Sequence, residues 1–241
     1  MNAAVVFVAY RLPEERIRAH LEWNAGIFGA PPELKIYIVT DRTLSFPAGV
    51  NCLVYPRAMP VFSLARTKNY GIRQALDAGA EIIVATDADM AWTGDAWAEC
   101  RAVGERQCVA PIYHMVDSFS LRHAFTPNRV VADLAIGTVA MRASGWRKVC
   151  GYNERLEGYG ADDGDLWRRI GAAGIRQYRG AAIYHIAHQS GAVQQEAHTA
   201  GDKSRGTRAD HWGRGDGFNP DQLQNNIRRA RQPWQNPDWG K

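Results

Sequence analysis

Short apolar runs alternate along the chain with longer stretches whose apolar positions recur every three or four residues. The runs AAVVFVAY (3–10), KIYIVTD (35–41), NCLVYP (51–56) and EIIVATDADM (81–90) have the length and composition of buried strands. Between the first two, PEERIRAHLEWNAGIF sets Ile17, Leu21 and Ile27 roughly on one helical face. VFSLARTKNYGIRQALDAGAE predicts a helix capped by Ser63, with Leu64, Ala65, Ile72 and Leu76 turned inward and Gly79 as its stop. Strand and helix in this alternation predict an α/β fold, a doubly wound and mostly parallel sheet flanked by helices. Such sheets bind ligands at the carboxyl ends of their strands, where this chain places acids.

After Val109 the pattern loosens. HMVDSFSLRHAFTPNR (114–129) reads as a loop or a small β-excursion, ADLAIGTVAMR (132–142) as a strand, and SGWRKVCG (144–151) as a short helix. A further helix starts near Asp162 and turns Leu166, Trp167 and Ile170 inward. From about Gly191 the chain is polar and poor in aliphatic residues, so 1–190 is expected to be one domain and 191–241 a C-terminal tail or lid packed on it.

The composition, 46% hydrophobic and 22% charged over 241 residues, is that of a folded globule and excludes collagen-like, coiled-coil and wholly disordered chains. A net charge of +4 tolerates anionic ligands without demanding a nucleic acid. The first apolar run is broken by Arg11 and Glu14, too soon to span a bilayer, and no basic region precedes it. Four widely spaced cysteines with no C-x-x-C pair suit reduced thiols, and with them a cytoplasmic location is expected.

Three clusters carry chemistry. Asp87-Ala88-Asp89 follows the apolar run IIVAT, and alternation along an extended segment sends both carboxylates to one side. Two acids held together repel, and Mg²⁺ or Mn²⁺ bridging to a diphosphate relieves that repulsion; a pair of solvated turn acids is the plainer alternative. Gly158 to Asp165 (GYGADDGD) opens a helix with glycines, an aromatic and three acids. A cap explains one of those aspartates, and a carboxylate held beside an aromatic can serve as general base for an incoming hydroxyl. His185-Ile186-Ala187-His188 follows a strand-like AAIY, and an imidazole at a sheet edge can complete a metal site built on carboxylates.

In that order and at those separations, FSLARTKNYGI, IIVATDADM, AIGTVAMRASGWRKVCGYNERLEGYGADDGDLWRRI and IYHIAH resemble the GT-A glycosyltransferases. They look most like the β-1,4-galactosyltransferase group and its bacterial chondroitin-polymerase-like relatives, over about 61–188, with a weaker echo at AYRLPEERIRAHL. The resemblance implies a GT-A fold and a metal-dependent, inverting transfer of a hexose or N-acetylhexosamine from a UDP-sugar to an acceptor hydroxyl of a glycan, forming a β-linkage. It implies that Asp89 binds Mn²⁺ (or Mg²⁺), with His188 as second protein ligand, Asp87 holding ribose or metal, and His185 a third ligand or a bystander. By the same resemblance Asp163 is the catalytic base, Asp162 and Tyr159 contact the acceptor, and Arg11, Arg66 and Asn69 border the nucleotide and diphosphate. Tyr159 stands where the family usually has Trp, Asp162 where it has Glu and Gly164 where it has a third acid, which leaves acceptor identity open.

A nucleotidylyltransferase would need a Gly-rich, Lys-bearing loop after the first strand, and VAYRLPEER has none. A non-catalytic carbohydrate- or nucleic-acid-binding module is the other reading, drawing on Trp212, Trp234, Trp239 and the arginines of the tail. The acids at the helix start would repel phosphates, so nucleic acid fits only as an acceptor.

Overall fold

The structure is a computed structural model and describes residues 2–10, 12–28, 34–57, 59, 62–116, 129–131, 137–157, 161–186 and 220–240. In chain order the elements are β1 (Ala3–Val8), α1 (Glu14–Phe28), β2 (Leu34–Thr40), β3 (Val50–Val54), α2 (Leu64–Asp77), β4 (Ile82–Asp87) and β5 (Met90–Ala91). There follow α3 (Gly94–Arg101), β6 (Gln107–Val116), β7 (Arg129–Val131), β8 (Val139–Arg142), α4 (Ala143–Val149), α5 (Asp162–Ala172), β9 (Arg176–Ile186) and α6 (Pro220–Ala230).

The strands form one sheet in the order β3-β2-β1-β4-β8-β6-β9-β5, with β7 paired to β6. The long ladders, β3 to β2 to β1 to β4 and β6 to β9, are parallel, as the alternation of strands and helices predicts. β8 runs antiparallel between β4 and β6 and joins the two parallel parts. β6 extends to Val116, so the first residues of the predicted loop at 114–129 are strand; 117–128 lie outside the described residues.

Every residue of β1 is buried, and its side chains divide between two cores. Val6 and Val8 join Ile72 of α2, Trp146 of α4 and Leu166 of α5 on one face. Val5 and Phe7 join Ile17 of α1 and Trp97 of α3 on the other. Ser63 caps α2 by accepting from the Arg66 N–H, and Gly79 (φ +80°) follows its last turn, both as the sequence predicts. Gly71 lets α2 lie against the sheet: a Cβ there would come within 2.4 Å of a Val6 methyl.

Residues 220–240 rest against α2, α5 and the 150–157 segment. Trp239 is 2% exposed and packs where a side chain on Gly151 would stand, while the Trp234 indole donates to the Cys150 carbonyl at 2.9 Å. Among the described residues no helix is long and apolar enough to cross a membrane, and all four cysteines are free.

Candidate active site

β4 is anchored by four fully buried residues, Ile82 to Ala85, and ends on Asp87 at the rim of the sheet. Lys68 reaches it from α2. Its Nζ lies 2.8 Å from Asp87 Oδ1, donates to the Gly137 carbonyl at 2.8 Å, and sits over the Tyr152 ring at 5.3 Å. Lys68 has no exposed surface. Burial works against its charge, but Asp87, Tyr152 and Asp163 outweigh it and hold the ammonium well above the usual lysine range. Gly137 must be bare, since a Cβ would lie 2.3 Å from Asp87 Oδ2 and 3.0 Å from the Tyr113 hydroxyl.

Asp162 and Asp163 open α5, and the Asp163 charge acts on the ionisation of Lys68, Tyr113 and Tyr152. Burial raises the Asp162 carboxyl above its usual range, with the Lys68 charge opposing. The cap position of this helix falls on Ala161 rather than on an acid, and Ala161 is left-handed at φ +70°. That conformation costs a residue with a Cβ about 1–2 kcal/mol. The third acid, Asp165, turns inward and pairs with Arg169 at 2.6 Å and Arg168 at 3.0 Å. The acids expected from the sequence as one cluster therefore divide, two toward Lys68 and one into the helix packing.

Asp89 lies in the turn between β4 and β5. β5 pairs antiparallel with β9, Met90 opposite His185, and this register sets His185 Nε2 3.2 Å from Asp89 Oδ2. Tyr113 stacks on the His185 ring at 6.1 Å and donates to Thr138 Oγ1 at 3.0 Å, which is 2.8 Å from Thr86 Oγ1. From beneath, Asn24 of α1 donates to the Met90 carbonyl at 3.0 Å and accepts from the Trp92 N–H at 2.8 Å. His20, one turn earlier, is fully buried; burial pushes its pKa down to about 4 against the pull of Asp89 and the Ala88 carbonyl, so the ring is neutral at pH 7.

A carboxylate oxygen and an imidazole nitrogen this close suit Mn²⁺, which accepts both donor types. Among the described residues no three His, Cys, Asp or Glu side chains converge, so Asp89 and His185 are the two described side chains that would hold the ion. Arg66 and Asn69 are engaged by the 152–157 segment: Arg66 donates to the Glu154 carbonyl at 3.1 Å and lies 3.6 Å from Glu157. The buried Asn69 amide donates to the Tyr152 carbonyl and to Glu154, and accepts from the Tyr152 N–H. Arg11, Tyr159 and His188 lie outside the described residues. Lys68, Gly137, Tyr113 and His20 are the site residues that the sequence reading missed. Lys68 had a signal, for it falls on the inward stripe of α2 between Leu64 and Ile72.

Residues 120–189 match the family model described as the N-terminal domain of galactosyltransferase. No curated protein matches the chain in sequence. Among solved structures, the catalytic domain of Drosophila β1,4-galactosyltransferase 7 with xylobiose is 14% identical at a TM-score of 0.57, over 97% of this chain and 82% of that one. The mannosyltransferase PcManGT of Pyrobaculum calidifontis with GDP-Man and Mn²⁺ is also 14% identical at 0.57, over 95% and 68%. GalNAc-T7 with UDP, GalNAc and Mn²⁺ is 12% identical at 0.57, over 78% of this chain and 44% of that one, so the chain spans less than half of its length. The chain thus has the fold of the GT-A glycosyltransferases, and a segment of it, 120–189, is similar to galactosyltransferases.

Proposed function

We propose that this chain is a metal-dependent inverting glycosyltransferase that moves a hexose or N-acetylhexosamine from a UDP-sugar to an acceptor hydroxyl of a glycan, forming a β-linkage. The observation that carries the reading is the meeting of two acidic elements at the rim of the sheet. The end of β4 and the turn after it bring Asp87 and Asp89, the start of α5 brings Asp162 and Asp163, and the buried Lys68 ammonium pairs with Asp87 and feels the charge of Asp163. The nucleotide sugars and Mn²⁺ named with the structural neighbours agree with it. A bound Mn²⁺ on Asp89 and His185, with His188 as a further candidate, would neutralise charge on the departing diphosphate, worth several kcal/mol in Lewis-acid catalysis.

The chain's own residues supply the rest. Asp87, its charge balanced by Lys68, is left as an acceptor for donor hydroxyls. Asp163 takes the proton of the acceptor hydroxyl as it attacks the anomeric carbon opposite the diphosphate. Asp162, its carboxyl pKa raised by burial, and Tyr159 orient the acceptor. A cytoplasmic location belongs to the same reading, supported by four free thiols.

The test is thermal shift with UDP, with and without Mn²⁺, on wild type, Asp89→Ala and His185→Ala, followed by turnover of Asp163→Asn. A metal-dependent UDP shift lost in both alanine variants supports the donor site. Asp163→Asn should cost on the order of 10²–10⁴-fold in turnover while leaving UDP binding intact. No shift with UDP, with or without Mn²⁺, would remove the UDP-sugar transferase reading and leave a non-catalytic binding module.

A further inference from the structure

The C-terminal helix holds the chain at Arg155 and Glu157, before Asp162 and Asp163, and at Arg168, after them. Asn226 of α6, 1% exposed, donates from Nδ2 to the Glu157 carbonyl at 2.7 Å and accepts at Oδ1 from the Glu157 N–H at 3.2 Å. One side-chain amide thus meets both backbone polar groups of a residue, as a neighbouring strand would. Arg229 donates to the Arg155 carbonyl at 2.7 Å and lies 3.5 Å from the Glu157 carboxylate. Arg155 in turn lies over the Trp234 ring and donates to the Pro233 carbonyl at 2.9 Å. Past the two acids, Arg168 of α5 donates to the Ala230 carbonyl at the end of α6 while holding Asp165 at 3.0 Å.

Between these contacts in the chain lies Ala161, left-handed at φ +70° although it carries a Cβ. A strained residue of this kind persists only where its surroundings over-determine it. Asp162 and Asp163 follow directly, so any relaxation of Ala161 re-aims both carboxylates relative to Lys68.

We propose that α6 is part of the positioning machinery of the site, with Asn226 the positioning residue that keeps Ala161 left-handed and so aims Asp162 and Asp163. This rests on the transferase reading. It assigns the C-terminal segment a role in turnover rather than in donor binding, which belongs to the Asp87–Asp89 end.

The experiment compares full-length wild type, Asn226→Ala, Ala161→Gly and the double variant by three measurements. These are amide hydrogen exchange over 155–165, Kd for UDP with Mn²⁺, and Mn²⁺-dependent hydrolysis of UDP-galactose, UDP-glucose and UDP-N-acetylglucosamine with water as acceptor. Asn226→Ala should speed exchange at 161–165 and lower kcat by about tenfold, a loss of the size one positioning contact carries, with KM for the donor and Kd for UDP unchanged within about twofold. Glycine adopts φ > 0 at no steric cost, so Ala161→Gly in the Asn226→Ala background should restore most of the lost kcat. Unchanged exchange and kcat would overturn the proposal, as would a double variant that recovers nothing. If wild type neither binds UDP with Mn²⁺ nor hydrolyses any donor, the transferase reading fails; exchange alone then judges the grip, faster supporting it and unchanged overturning it. Should Asn226→Ala not fold, Arg229→Gln removes the bond to Arg155 and is read the same way.

Discussion

Lys68 ties two distant parts of the chain, β4 through Asp87 and the start of β8 through the Gly137 carbonyl, with one ammonium. Removing one partner of such a pair strands the other. Lys68→Met is expected to cost about 3 kcal/mol at most, reduced by the hydration that the partly exposed Asp87 regains. Adding Asp87→Asn should recover a good part of that loss, and urea unfolding of the single and double variants measures both. His20 supplies a pH dependence. Its folded pKa of about 4 lies below the unfolded 6.5, so the unfolded chain binds the extra proton, and stability is lost as pH falls from about 6.5 through 4. The full loss is on the order of 3 kcal/mol, and His20→Leu should flatten that part of the profile. An equal slope in the variant would show that His20 is not its source. At this scale the sequence was partly legible. Asp87, Asp89 and His185 stood out because acids and imidazoles at strand ends are conspicuous, and the structure does bring Asp89 to His185. His20 gave no such signal, because one polar residue on an amphipathic helix looks the same buried or exposed until its neighbours are known.

Among the elements, those whose ends carry their own chemistry were the readable ones. Ser63 and Gly79 bracket α2, and both do in the fold what their side chains dispose them to do. The direction of β8 was not readable. A four-residue strand has no periodicity that tells parallel from antiparallel, and its orientation is set by β4 and β6 on either side. Yet that reversed strand delivers Gly137 and Thr138 to the carboxyl end of β4. Gly137→Ala is therefore expected to displace the Asp87 carboxylate, which a Cβ would meet at 2.3 Å, and to weaken UDP binding with Mn²⁺ by about tenfold, as for a lost charged contact. Titration calorimetry checks this; unchanged affinity would show that Asp87 is not used in donor binding.

For the molecule as a whole, the C-terminal residues matter more than their polarity suggested. Low aliphatic content was the reason to read 191–241 as a tail or lid, but single tryptophans seat the described part of it. Trp239 is buried against Gly151 and lies beneath Arg73, and the Gly240 N–H that follows donates to Glu154 at 2.7 Å. Trp239→Ala should cost about 3–5 kcal/mol in denaturant unfolding, the range for a buried indole. A change under about 1 kcal/mol would mean that these residues detach without cost.

The reversal of β8 also orders events during synthesis. The four parallel strands β3, β2, β1 and β4 are complete once residue 87 has left the ribosome, and they can pair early. At that moment Lys68 and Asp87 are both synthesised, but the Gly137 carbonyl, the imidazole of His185 and the acids of α5 are still unmade. On the proposed reading a nascent chain would be inert toward nucleotide sugars over most of its length, because His185 meets Asp89 only once β9 lies beside β6.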